Sequence, residues 1–218
     1  IERAHAGDVG AMKMLSIREH RFPFLPKVGN WNRFNRNSGG TFVEKCCHFF
    51  DLMRFILQEE PVAVMGMGGQ AVNHLNEAYD GETPDIFDHG FVAVEFESGA
   101  KAQLDLCMFA EGSENQEEIT LVGDQAKLEV KIPEGVITFM PRRPKNPVKE
   151  TVEIDEAVLA AGSHFGSSYF QHLDFQKAMH SGTPAMVNAH DGRMSVQMGL
   201  AAQVSMVERR WVEMSELV

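Results

Sequence analysis

The feature that most limits the fold is a run of strand-like segments between residues 61 and 140, bracketed by helical patterns. PVAVMGMG (61–68), GFVAVEFE (90–97), AKAQLDLCMFA (100–110), EEITLVG (117–123), AKLEVKI (126–132) and GVITFM (135–140) are apolar or alternating stretches of strand length. FESGAK and VGDQAK are short turn-bearing links of the kind that join antiparallel neighbours. AMKMLSIREHR (11–21) reads as a strand ahead of the block, and KETVEID is a candidate strand after it. Residues 41–57 are helical by period, and 167–182 and 190–210 give two closing helices. Strands in a run with helices at both ends predict an α+β fold: a large, mostly antiparallel open-faced sheet with helices packed on one face.

Between the first strand and the first long helix lies FPFLPKVGNWNRFNRNSGG (22–40), a loop rich in Pro, Asn and Gly. Loops of that length are often functional. The chain opens IERAHAGDVG, which looks like the last turns of a helix ending at Gly7 or Gly10, as expected of the C-terminal part of a longer protein. With 31 acidic against 20 basic residues and a formal charge of −11, it repels phosphate backbones, so nucleic-acid binding is not expected. No apolar stretch approaches the roughly 18 residues of a membrane span. Three cysteines, two of them adjacent, do not make a disulfide framework, and a reducing cytoplasm is the expected compartment.

The chemistry concentrates in GGTFVEKCCHFFDLMRFIL (39–57). At about 100° per residue, Glu44, His48 and Asp51 share one side of a helix. Phe42, Cys46, Phe49, Phe50, Met53 and Leu57 share the other, which is the expected core face. Cys46 and Cys47 point in different directions, lack the C-x₂₋₄-C spacing of structural zinc sites, and are not a C-x-x-C redox pair. No metal is therefore expected. Glu44 and His48 remain either a surface i,i+4 pair or part of a site. The two glycines before the helix allow close approach of another backbone or a ligand, so its polar side is expected to face a pocket. GMGGQA (66–71) fits G-x-G-x-x-A, but VNHLNEAYDGETPD follows it in place of a long helix, so no dinucleotide cradle is expected there.

SGGTFVEKCCHFFDLMRFIL resembles the G-G-x-x-x-D-x-x-x-H-x-x-D segment of the glucose-fructose oxidoreductase / inositol dehydrogenase / rhizopine-catabolism (Gfo/Idh/MocA) family. The resemblance continues through DHGFVAVEFESGAKAQLDL (88–106), EEITLVGDQAKLEV and the last helix, and residues 1–21 look like a final Rossmann helix and crossover strand. It implies that residues 1–218 are the C-terminal substrate-binding and oligomerisation domain of a two-domain oxidoreductase. An N-terminal Rossmann domain would bind NAD or NADP, and hydride would pass between nicotinamide and an inositol-like sugar or polyol. Glu44 and His48 take the positions of the family's acid and histidine, which act with the lysine of an E-K-P motif in the Rossmann domain. Lys45 is not that lysine. The family commonly has Asp at position 44 and small residues at 46 and 47.

On this reading His48 accepts or returns the proton of the substrate hydroxyl, directly or by relay. Glu44 orients the imidazole and favours its protonated form. Arg33 and Asn35 in the entering loop, Glu111 and Gln116 after a strand, and His164 ahead of a helix are the expected substrate contacts. The second sheet face is expected to pack against a copy of itself in a homo-oligomer. Two rival functions stay open: an NAD-dependent glycoside hydrolase of the same fold, and a non-catalytic, dimerising ligand-binding domain.

Overall fold

The computed structural model describes residues 1–161 and 164–217. A short helix α1 (Glu2–His5) leads through Gly7 and Gly10 into β1 (Met12–His20). The loop expected over 22–40 is partly ordered, with a 3-10 turn over Val28–Arg33 and a single-turn helix α2 (Asn35–Ser38). The helix expected over 41–57 is two helices, α3 (Thr41–Glu44) and α4 (Cys47–Leu57). Then come β2 (Pro61–Gly69), β3 (His89–Phe96), β4 (Lys101–Cys107), β5 (Glu117–Gly123), β6 (Ala126–Ile132), β7 (Val136–Pro141) and β8 (Val148–Thr151). The chain closes with α5 (Glu156–Ala160), α6 (Ser167–Ser181), α7 (Ala189–Glu208) and the two-residue β9 (Val212–Glu213).

These strands form one nine-stranded sheet in the order β8-β7-β6-β5-β1-β4-β3-β2-β9. β1 and β4 pair in parallel and every other neighbouring pair is antiparallel. The links FESGAK and VGDQAK close the β3–β4 and β5–β6 hairpins as expected. Period-2 alternation then sorts the side chains. Leu15 and Ile17 of β1, Leu104 and Leu106 of β4, and Val92 and Val94 of β3 face α4 and α7 and are buried. Phe42, Phe49, Phe50, Met53 and Met198 cover them from the helical side. The fold is thus α+β, with the helices of the core on one face of an open sheet. The opposite face presents Met14, Met67 and Phe91 to solvent. Among the described residues, no helix is long and apolar enough to cross a membrane.

GMGGQA does not turn into a helix. Its glycines continue β2 in register with β3, Gly68 opposite Gly90 and Gly69 opposite His89. A β-carbon on Gly66 would stand 2.8 Å from the Ala202 carbonyl, so α7 lies directly on this part of the strand. Close packing accounts for the glycine pattern.

Candidate active site

The segment that carries Glu44 and His48 is fixed at its start by close contact with α7. Gly40 caps α3 with φ of 84°. Gln203 of α7 reaches over it and donates to the Gly39 carbonyl at 2.6 Å and to Asn35 Oδ1 at 3.3 Å. A β-carbon on Gly40 would overlap Gln203 Nε2 at 1.6 Å, so only glycine fits there. The break between α3 and α4 falls at Lys45–Cys46, where the amide of Phe49 bonds back three residues to the Cys46 carbonyl. α7 crosses here too: a β-carbon on Gly199 would stand 2.5 Å from the Phe42 carbonyl. The helical wheel survives the break. Phe42, Cys46, Phe49, Phe50, Met53 and Leu57 are all buried, as expected, and His48 is exposed.

A buried polar cluster lies beneath this junction. The centre is Glu19 near the end of β1, whose side chain is wholly buried. Glu19 Oε1 accepts from Lys45 Nζ at 2.9 Å, Arg21 Nη1 at 3.3 Å and Gln116 Nε2 at 3.4 Å, while its Oε2 is buried with no partner among the described residues. Lys45 is itself almost entirely buried, and its ammonium lies 5.6 Å from the centre of the Phe49 ring. Glu117 stands opposite Glu19 in the β1–β5 register.

The electrostatics follow from this crowding. Protein packed against part of the exposed His48 residue lowers its pKa from 6.5 to about 3, with the Lys45 ammonium next in effect, then His164 and Arg21. At neutral pH the imidazole is therefore unprotonated. Burial raises the Glu44 carboxyl above its ordinary value, against the pull of Lys27, Lys45 and Arg21. Glu117 is raised as well, first by burial and then by Glu19. No hydrogen bond or ion pair joins Glu44 to His48 among the described residues, and Glu44 is not among the groups that shift the ring. The expectation that Glu44 orients His48 and favours its protonated form is corrected. Cations surround the ring, and they disfavour a second positive charge.

The remaining expected residues divide. Gln116 belongs to the Glu19 cluster, and His164, with φ of 59°, lies near enough to act electrostatically on both His48 and Glu117. Arg33 is instead buried, donating from Nε to Glu77 at 2.9 Å and from Nη2 to the Phe24 carbonyl at 3.2 Å. Asn35 is occupied by the backbone and carboxylate of Asp85 and by Gln203. Both stabilise the entering loop. Glu111 is exposed in the turn after β4. Asp51 pairs with Arg54, which also holds Glu60 and Asp191 and so ties α4 to the start of α7. A cleft of about 310 Å³ opens beside that Arg54 cluster, and neither Glu44 nor His48 lines it.

Burial pushes the Cys46 thiol well above its ordinary value and raises that of Cys47, so neither is a ready thiolate. Among the described residues, no group of three His, Cys, Asp or Glu side chains is placed to hold a metal ion. Glu19, Arg21, Lys45 and Glu117 were not anticipated as site residues. One signal was available: alternation puts Glu19 on the same face as Leu15 and Ile17, and a carboxylate at a core position seldom lacks a function or a partner.

The family model described as "Oxidoreductase family, C-terminal alpha/beta domain" matches residues 2–214. The chain is 28% identical over 226 residues to a myo-inositol 2-dehydrogenase of Thermotoga maritima, covering 100% of this chain and 60% of that protein. It is 24% identical over 217 residues to an inositol 2-dehydrogenase of Rhizobium meliloti, covering 96% of this chain and 58% of the relative. A solved levoglucosan dehydrogenase, in complex with NADH and levoglucosan, shares the fold with a TM-score of 0.79 at 16% identity, covering 98% of this chain and 62% of that one. The chain thus spans about three-fifths of the length of the curated relatives it matches. Over the part described as a C-terminal alpha/beta domain, the chain belongs to the Gfo/Idh/MocA oxidoreductase family.

Proposed function

We propose that the chain is the substrate-side domain of an NAD(P)-dependent oxidoreductase that oxidises or forms a hydroxyl-bearing carbon of an inositol-like sugar or polyol. The observation that carries the reading is His48: a neutral imidazole with solvent access, on the segment that carries the family's acid and histidine positions. In the oxidative direction the hydroxyl proton passes to this ring as hydride leaves the carbon. A group with a pKa near 3 holds a proton only briefly, so His48 is a relay that takes the hydroxyl proton and releases it to the solvent that reaches the exposed ring. Glu44, half-buried one turn earlier with a raised pKa, is assigned to the acidic side of the site.

Bound nicotinamide would supply the hydride acceptor. Gly66–Gly69 of GMGGQA continue strand β2 and do not turn into a helix, so the proposal assigns the cofactor to the remainder of the full-length protein. NAD and NADP are both open for the same reason. Substrate contacts are assigned to His164, whose charge acts on His48, to Gln116 of the Glu19 cluster, and to exposed Glu111. The exposed apolar residues of the outer sheet face support a homo-oligomer, and three free cysteines suit a reducing compartment such as the cytoplasm.

The test is an assay of the full-length protein against inositols and aldoses with each cofactor. Reduction of NAD or NADP with at least one of them is the expected outcome. No turnover with any, or release of free sugar from a glycoside without net NADH, would overturn the dehydrogenase reading.

A further inference from the structure

We propose that Glu19 of β1 and Glu117 of β5 share a single proton, as a carboxyl–carboxylate pair that forms a pH-sensitive catch between the two strands. The inference stands apart from the role given to His48. Glu19 and Glu117 are direct partners in the antiparallel β1–β5 register, so their side chains leave the same face of the sheet with β-carbons about 5 Å apart. One amide ties them together: Gln116 Nε2 lies 3.4 Å from Glu19 Oε1 and 3.5 Å from Glu117 Oε1. Lys45 and Arg21 are both committed to Glu19, and no ion pair reaches Glu117 among the described residues.

The bonds to Glu19 are unevenly divided between its two oxygens. Lys45, Arg21 and Gln116 all converge on Oε1, which makes Glu19 the ionised partner. Its Oε2 is sealed from solvent and accepts nothing among the described residues. A buried carboxylate oxygen without a donor is costly. The side chain placed to supply one is Glu117, half-buried and directly opposite. As a carboxylate, Glu117 would bring a second negative charge and no donor. As a carboxylic acid it donates one O–H, which satisfies Oε2 and removes the repulsion together. Burial and the neighbouring Glu19 both raise the Glu117 carboxyl above its ordinary value, against Lys45, the Gln116 amide and His164. The charged and titratable groups facing the pair are Lys45 at the helix junction, Arg21 after β1, His164 ahead of α6 and the buried Cys46 thiol. Once the shared proton leaves, two carboxylates oppose each other across the ladder, and the start of β5 is pushed away from β1.

The experiment titrates the glutamate side-chain carboxyl carbons of the full-length protein by NMR, with Glu117→Gln assigning the pair. One carboxyl is expected to keep its proton above the ordinary value of 4.5, and both resonances are expected to move together as it is lost. A Glu117 carbon that titrates at or below 4.5 overturns the inference. Urea unfolding gives a second measurement with a definite sign. Above pH 4.5 the folded protein holds a proton that the unfolded chain releases, so stability falls as pH rises until the folded pair has titrated. The variant keeps an amide donor facing Oε2 and does not titrate there. Across that window the wild type is expected to lose up to about tenfold in its folding equilibrium per pH unit, relative to Glu117→Gln. A wild type that holds level with the variant or gains on it as pH rises overturns the inference. Where Glu117→Gln fails to fold, Glu117→Asp assigns the resonance and the wild-type titration decides alone.

Discussion

His48 is neutral at rest for reasons that belong to its immediate surroundings, and this has consequences for rate and for stability. Replacing it with Gln in the full-length enzyme removes the proton relay, and kcat is expected to fall by about 10²- to 10⁴-fold with little change in KM. Steady-state kinetics on the substrate identified by the screen checks this. Glu44→Gln is expected to cost less, because the structure shows no bond from Glu44 to the ring. The stability effect has a definite sign. Between about pH 3 and 6.5 the unfolded chain carries a proton on this ring that the folded chain does not. Stability therefore falls as pH drops through that window, and the contribution is complete above 6.5. Urea titrations at several pH values are expected to show a shallower acid loss in His48→Gln than in the wild type.

Among the elements, the α3–α4 junction sets the site, and α7 sets the junction. Gly199→Ala pushes a methyl group into the Phe42 carbonyl and is expected to destabilise the protein by about 1–3 kcal/mol, read from the urea midpoint. The strands were legible because each carries its own alternation. The core face of the 41–57 helix was legible because the wheel runs through the break. The break itself was not, since it arises where a helix some 150 residues later crosses the chain. Nor could local pattern show that β1 sits mid-sheet, parallel to β4, because its partners are Lys101–Cys107 and Glu117–Gly123. Without those partners, local pattern does not show that Glu19 lies beneath Lys45. Arg33 and Asn35 misled for the converse reason. Polar residues in a long loop resemble ligands until their partners, Glu77 and Asp85, are known from the fold.

Taken whole, the molecule is a sheet with one face covered by helices and one face bare. Met14, Met67 and Phe91 on the bare face are 60%, 64% and 57% exposed, a loss of burial that a second copy of the sheet would recover. The full-length protein is expected to be at least dimeric at micromolar concentration by light scattering, and Phe91→Glu is expected to shift it toward monomer. A monomeric wild type would contradict this.

Glu44 and His48 keep solvent access above a packed layer of Phe42, Cys46, Phe49 and Phe50, and the proposed function rests on that access. The most direct test of that account is NADH or NADPH formation by full-length wild type and His48→Gln, side by side on the best polyol or sugar. A fall of about 100-fold or more in kcat, in a variant that folds normally, is what the account predicts. Equal turnover by the two would contradict it.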